Sequence, residues 1–443
     1  MGMKVFIETY GCQMNVNDSE VVLSILQDAG YSRCNDISEA DLILVNTCSV
    51  RDNAEQRVLG RLDVFRLEKK KRPVLVGVLG CMAERLKEKL LENEAVDIVA
   101  GPDSYRELPR LVSAARLESK QIDTLLSHEE TYGDITPVRM DSNGVSAFIS
   151  IMRGCNNVCS YCIVPFVRGA ERSRDPESIL REARSLIAAG YKEINLLGQN
   201  VDSYRWKNPE NHADKVDFAR LLELVALLDP TVRVRFATSH PKDMSDGVLY
   251  TMAMYENICK HIHLPVQSGS DEMLRKMNRK YTRETYLERI SRIREILPEC
   301  AITTDVIAGF CGETEEDHRQ TISLFNEVGF DSAFMFQYSE RPGTKAARQF
   351  ADDVPLEIKT ERLEEIIALQ GEISLDRNMT CIGNVYEVLI EGPSKRSPAD
   401  LMGRTSGNKT CIFPARGHKA GEYVNVRILS CSSATLKGEI VED

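Results

Sequence analysis

Hydrophobic and polar positions change period several times along the chain. Short apolar runs at Lys4 to Thr9, Leu42 to Asn46, Val74 to Leu79 and Asp97 to Ala100 alternate with helical stretches such as Asp18 to Ala29 and Ala83 to Leu91. Strands separated by helices in this way predict a parallel, doubly wound sheet. The rhythm restarts at Val145. Strands are expected near Val145 to Met152, Glu193 to Leu197, Val232 to Thr238, His261 to Pro265, Ala301 to Phe310 and Asp331 to Tyr338. Helices are expected at Pro176 to Ala189, Val216 to Leu228, Arg283 to Leu297 and Thr314 to Val328. Six such repeats predict a partial (β/α)6 barrel, whose chemistry belongs on the loops at the strand carboxyl ends. Beyond the amphipathic stretch Leu356 to Leu369 the character changes near Ser374. Short strands rich in Val, Ile and Tyr follow, as in Cys381 to Ile390 and Glu422 to Leu429, and predict a small antiparallel β-barrel. The expected organisation is α/β and multidomain: an amino-terminal domain at 1–119, a linker at 120–140, a barrel core at 141–373 and a carboxyl-terminal barrel at 374–443.

Composition narrows the class. The 443 residues are 42% hydrophobic and 28% charged, suited to several globular cores. No apolar run is long enough to span a membrane, and Met1-Gly2-Met3-Lys4 leads straight into an alternating strand, so a soluble, cytoplasmic protein is expected. Thirteen cysteines in such a chain point to reduced thiols and metal chemistry rather than disulfides. A net charge of −11 argues against nucleic-acid binding over the whole surface and leaves room for a local basic patch.

The cysteines cluster in two ways. Cys155, Cys159 and Cys162 form a C-x3-C-x2-C loop, Cys155-Asn156-Asn157-Val158-Cys159-Ser160-Tyr161-Cys162, with no fourth cysteine nearby. Three thiolates at that spacing can hold three irons of a cubane cluster and leave the fourth open to a small ligand. A zinc site is the rival, but the nearest histidines, His128 and His212, are far away in sequence. A second set, Cys12, Cys48 and Cys81, follows three successive predicted strands, so all three fall on the sheet edge where parallel sheets bind ligands. Buried packing thiols are the alternative for this set.

Taken together, Tyr10-Gly11-Cys12-Gln13-Met14-Asn15, Asn46-Thr47-Cys48, Gly80-Cys81-Met82-Ala83 and the Cys155/Cys159/Cys162 loop resemble the radical S-adenosylmethionine methylthiotransferases over nearly the whole chain. The resemblance implies two 4Fe–4S clusters, the radical cluster on Cys155, Cys159 and Cys162 and an auxiliary one on Cys12, Cys48 and Cys81. Both triads are then catalytic. It also implies S-adenosylmethionine bound with its amino group near Gly198 and Gln199 and its ribose near Gln267, Ser268 and Gly269. One S-adenosylmethionine would methylate sulfur on the auxiliary cluster and a second would yield a 5′-deoxyadenosyl radical. The segment Cys48 to Gln56, with Arg51 and Glu55 one helical turn apart, resembles the branch that inserts a methylthio group at C2 of N6-dimethylallyladenosine, position 37 beside the anticodon of tRNA. Threonylcarbamoyladenosine tRNA or a ribosomal-protein aspartate is the alternative substrate, and a non-catalytic iron–sulfur RNA-binding or electron-transfer protein is the alternative class. Implied partners are the tRNA anticodon stem-loop, a reductant such as flavodoxin or ferredoxin, and a sulfur donor, with no membrane and a monomeric chain. The family usually has Pro where this chain has Cys311, which is expected to be a bystander.

Two basic segments are candidates for RNA. Arg168, Arg172 and Arg174 follow the cysteine loop closely, as if to grip an anionic substrate. Lys395, Arg396, Arg404 and Lys409, with Arg416 and Lys419, meet only Asp400 among acids between Ser394 and Lys419. That patch suits phosphate contacts, and the segment resembles the TRAM domain, an RNA-binding module. His261 and His263 alternate on one strand and are expected to line the barrel interior.

Overall fold

The structure, a computed structural model, describes residues 2–49, 52–117, 120–140, 143–211 and 213–441. Strands β1 (Lys4–Tyr10), β2 (Ser32–Arg33), β3 (Leu42–Thr47), β4 (Leu75–Gly80), β5 (Ile98–Ala100) and β6 (Gln121–Asp123) form one sheet in the order β2-β1-β3-β4-β5-β6. Every pairing in it is parallel. All six positions of β3 are buried, as a strand covered by helices on both faces requires. Leu42 and Leu44 pack with Val22 and Leu26 on one side, and Ile43 and Val45 with Val58 and Phe65 on the other. The first helix starts at Gln13, earlier than the expected Asp18, because Asn15 closes a capping box with Cys12. The expected linker is no spacer. It supplies β6 to the sheet edge, and Tyr132, Ile135, Val138 and Met140 pack onto the amino-terminal core.

In the core, β7 (Ser146–Ser150) leads into a short antiparallel pair, β8 (Met152–Arg153) with β9 (Arg172–Ser173), which ties the two ends of the cysteine loop together. Next come β10 (Glu193–Leu197), the hairpin β11 (Arg205–Lys207) and β12 (Lys215–Asp217), then β13 (Arg233–Ala237), β14 (His261–His263), β15 (Ala301–Ala308) and β16 (Ser332–Gln337). The main strands form two parallel sheets, β13-β10-β7 and β14-β15-β16. Hydrogen bonds from Val234 N–H to Asn257 O (2.8 Å) and from Cys259 N–H to Val234 O (2.9 Å) join them into an open half-barrel. Alternation sorts its faces. Ile149, Ile194, Leu196, Val234, Phe236, Ile262 and Val306 face the helices, and Arg235, His263, Asp305 and Phe334 face the hollow.

The helix Leu356–Met379 runs past Ser374, where the change of character was expected, and delivers the chain to a closed barrel. Strands β17 (Val385–Ser394), β18 (Ser397–Thr405), β19 (Thr410–Pro414), β20 (Tyr423–Cys431) and β21 (Leu436–Ile440) close in the order β17-β18-β19-β21-β20. The pairing of β19 with β21 is parallel, a departure from the all-antiparallel expectation. The barrel plugs the amino-terminal mouth of the half-barrel: Arg235 donates to Ser406 O (2.9 Å) and Thr405 O (2.6 Å), and Arg233 to Arg404 O (2.7 Å) and Glu387 O (2.9 Å).

Candidate functional site

Register pairs Tyr10 with Thr47 and Thr47 with Gly80, so β1, β3 and β4 end side by side and Cys12, Cys48 and Cys81 leave the sheet on one edge. The order β2-β1-β3 places the crevice of an open parallel sheet between β1 and β3, where Cys12 and Cys48 stand. Backbone freedom is needed here. A Cβ on Gly11 would fall 2.6 Å from Cys48 Cβ, and Gly80, at φ +84°, would drive one into Asn46 Oδ1. Beneath the thiols lie buried amides. Asn15 Oδ1 accepts from the Cys12 N–H (3.3 Å) and thiol (3.3 Å), Asn15 Nδ2 donates to Asn46 Oδ1 (3.2 Å), and Asn46 Nδ2 donates to Ser19 Oγ (3.0 Å). A hydrogen bond with Cys48, together with the Arg168 charge, outweighs burial and lowers the Cys12 thiol to about 6. Burial raises Cys81, and Arg168 opposes it through Nε, 3.3 Å from Cys81 Sγ.

The second triad lies on the loop between β8 and the short helix Val164–Arg168. Gly154, at φ +73°, lets the chain pass Ala170 O where a Cβ would collide. Ser160 fixes the loop through Lys276 O (2.8 Å, from Oγ) and Met277 O (2.9 Å, from N–H), and Asn278 Nδ2 holds Val158 O (2.7 Å). Buried Arg279 donates to Cys159 Sγ (3.3 Å), Tyr161 Oη (3.4 Å) and Pro265 O (2.9 Å). Burial raises the thiols of Cys155 to about 11 and Cys162 to about 12, so metal binding here must displace protons. Asn157 and Asn200 both reach Asp243 Oδ2 (3.4 and 2.7 Å), which links the cysteine loop to the loop after β10. On that loop Gln199 Oε1 and Asn200 Oδ1 are buried without a hydrogen-bond partner. Orphaned acceptors call for an explanation, and the ammonium of S-adenosylmethionine is a donor that suits them. Among the described residues no three Cys, His, Asp or Glu side chains close on one point, as a lone zinc ion would need. Each triad offers three thiols, on one sheet edge and on one loop, and thiolates are the donors an iron–sulfur cluster takes.

The two triads share a wall. Ile163 and Val167, directly after Cys162, pack on Cys81. Arg168 then meets Asp18 (2.7 Å), a fully buried carboxylate that also receives Arg153 (2.7 Å), while Asp103 receives Arg153 (3.4 Å) and Arg172 (3.0 Å). Arg174 pairs with Glu182 (2.6 Å), which Arg139 connects to Glu20. The grip on an anionic substrate expected of Arg168, Arg172 and Arg174 is therefore corrected: all three guanidiniums are buried in internal ion pairs, those of Arg168 and Arg172 across to the amino-terminal domain and that of Arg174 within the core. Asp18, Asn15, Asn46 and Arg279 were missed in the sequence. Only the phase of Asp18 on the inward face of its helix pointed to it.

Gly198 packs on Met152, where a Cβ would clash. Gln267 is buried at φ +71°. Ser268 and Gly269 turn away from the rim into the helix Glu315–Val328, through Ser268 Oγ to Thr321 Oγ1 (3.4 Å) and Gly269 N–H to Thr321 Oγ1 (3.0 Å). His261 and His263 flank Thr303 Oγ1 (3.1 and 3.0 Å) inside the half-barrel, and His263 also meets Asp305 (3.3 Å). Cys311 packs with Phe310 and Tyr338, and burial raises its thiol. Val50 and Arg51 lie outside the described residues, and Glu55 pairs with Arg85 (2.5 Å). The carboxyl-terminal patch divides. Lys395 and Arg396 are exposed on the β17–β18 turn, Arg404 is tied to Glu391 (2.9 Å), and Lys409 pairs across domains with Asp331 (2.8 Å).

Three family models match the chain: the uncharacterized protein family UPF0004 at residues 4–101, the radical SAM superfamily at 149–325 and the TRAM domain at 379–441. Among solved structures, the radical S-adenosylmethionine methyltransferase TsrM from Kitasatospora setae covers 78% of this chain and 74% of its own at TM-score 0.58 and 15% identity, a likeness of fold. Among curated proteins, the tRNA-2-methylthio-N(6)-dimethylallyladenosine synthase of Bacteroides thetaiotaomicron is 57% identical over 99% of this chain and 96% of its own length. The protein of that name from Porphyromonas gingivalis strain W83 is 56% identical over 99% and 95%. With relatives of that identity matched end to end and a radical SAM match over the core, the chain belongs to the radical S-adenosylmethionine methylthiotransferases of the tRNA-2-methylthio-N(6)-dimethylallyladenosine synthase family.

Proposed function

We propose that this chain inserts a methylthio group at C2 of N6-dimethylallyladenosine, position 37 of tRNA, beside the anticodon. The observation that carries the reading is the run from Cys162 to Arg168, which starts on one triad and ends against a thiol of the other, so one short segment joins them. When bound, S-adenosylmethionine and the two clusters supply the radical, the methyl group and a seat for the sulfur. The chain's own residues position these groups. Gln199 and Asn200 offer acceptors, Arg279 supports Cys159, and the hollow of the half-barrel receives a base taken out of its stack. Exposed Lys395 and Arg396 suit phosphate contacts on the anticodon stem-loop. A small reductant protein such as flavodoxin or ferredoxin, a separate sulfur donor, a monomeric state and a cytoplasmic location complete the reading.

Anaerobic reconstitution tests it. The chain should bind about eight irons in two cubane clusters. Substituting Cys155, Cys159 and Cys162 together by Ala should leave about half that iron and abolish cleavage of S-adenosylmethionine. Substituting Cys12, Cys48 and Cys81 should keep cleavage and stop thiolation. Methylthio product from the second variant, or product on threonylcarbamoyladenosine tRNA equal to that on N6-dimethylallyladenosine tRNA, would overturn the proposal.

A further inference from the structure

Arg168 is 3% exposed, yet one of its nitrogens, Nη1, has no hydrogen-bond partner. The other two are committed, Nε to Cys81 Sγ (3.3 Å) and Nη2 to Asp18 Oδ2 (2.7 Å). A buried guanidinium N–H left unpaired costs free energy, so such groups in native proteins are matched by something. Two thiols of the auxiliary triad lie by this guanidinium: the charges of Cys81 and Cys12 both act on Arg168, and Val167 beside it packs on Cys81. Its position is rigidly set, because Asp18 also holds Arg153 and the segment is anchored at Cys162.

We propose that Arg168 is the anion-holding residue of the auxiliary site, with Nη1 directed at an anionic sulfur ligand, hydrosulfide or methanethiolate, on the iron that the Cys12, Cys48 and Cys81 thiolates leave open. This rests on the two-cluster reading above. A guanidinium at that point stabilises a sulfur anion by a charge-assisted hydrogen bond, and it does so from the chain segment that carries the other cluster loop. The sulfur to be transferred is then held by a residue of the radical core, and the two sites stay in register through one helix.

The test uses the full-length chain with Cys155→Ala, Cys159→Ala and Cys162→Ala, so that only the auxiliary cluster is loaded, and follows methanethiolate binding by the electron paramagnetic resonance of the reduced cluster. Arg168→Met should raise the methanethiolate Kd about tenfold or more, as loss of one charge-assisted hydrogen bond implies, and Arg168→Lys should recover part of it. Arg168→Gln keeps a donor for Asp18 without the charge, and should weaken methanethiolate while leaving the affinity for neutral imidazole within about threefold. Iron content reports whether each variant still folds around its cluster. Methanethiolate affinity within about twofold in both Arg168→Met and Arg168→Gln would overturn the assignment alone. No methanethiolate binding before Arg168 is changed would overturn it together with the open-iron reading.

Discussion

Asp18 shows how much a single buried carboxylate can organise. Burial pushes its carboxyl up, and Arg153 and Arg168 together push it further down, so it stays charged with no exposure to water. Removing one partner from a buried ion network costs about 3 to 5 kcal/mol, because the remaining charges keep their desolvation without compensation. Asp18→Asn should therefore lower the denaturant midpoint of the cluster-free chain clearly, while Lys4→Met, which breaks an exposed pair with Glu39, should shift it little. The pH dependence follows from the sign. A folded pKa below the ordinary 3.8 stabilises fully above that value and loses its contribution as pH falls through the folded pKa. Asp18→Asn should flatten the acid limb of the stability curve below about pH 4 and leave the neutral limb parallel to wild type. The sequence hid this network for a physical reason. Arg168 and Arg172 find their carboxylates more than a hundred and nearly seventy residues away, and a guanidinium run reads as solvated until its partners are placed.

At the scale of elements, alternation was a good guide. The main strands of both sheets follow the apolar runs, since a strand buried against helices must show its period in sequence. The two-residue strand β2 and the edge strand β6 gave no such signal, because short edges bury little. The same alternation exposes an aromatic surface on β16. Ala333 and Met335 face the core helices, which leaves Phe334 at 55% and Phe336 at 41% exposure facing the hollow, with His263 edge-on to Phe334 at 5.7 Å. Large aromatics exposed inside a barrel suit stacking with a nucleobase and burial of an apolar N6 substituent, terms of about 1 to 3 kcal/mol each. Phe334→Ala and Phe336→Ala should each lower kcat/KM on N6-dimethylallyladenosine tRNA about tenfold or more and narrow the preference over unmodified tRNA. An unchanged preference would place base selection elsewhere. The β17–β18 turn carries a separate expectation. Lys395→Ala with Arg396→Ala should reduce the salt slope of tRNA binding by up to about 0.7 to 0.9 per lost phosphate contact. Lys409→Ala should instead disturb the domain contact at Asp331.

Over the whole molecule, the carboxyl-terminal barrel behaves as a stopper seated in the core rather than a tethered module. Arg235 is the peg. It is buried, pairs with Glu193 at 2.6 Å, and donates across the interface to the carbonyls of Thr405 and Ser406. Arg233 repeats the pattern and lies over the Tyr423 ring at 5.0 Å, while Lys260 N–H holds Ser406 Oγ at 2.9 Å. These contacts fix the face that Lys395 and Arg396 present, so the proposed phosphate grip is coupled to core stability through the socket. Arg235→Met removes the charge and leaves Glu193 buried with only Asn195 and Ser146 as donors. The expected cost is about 3 to 5 kcal/mol, the range for an uncompensated buried charge. Arg235→Met should lower the thermal midpoint, open the segment between Met379 and Val385 to proteolysis, and weaken tRNA binding, although Arg235 itself is out of reach of RNA. A tethered module would show the first effect without the other two. Intact tRNA affinity together with unchanged cleavage at that segment would therefore refute the coupling.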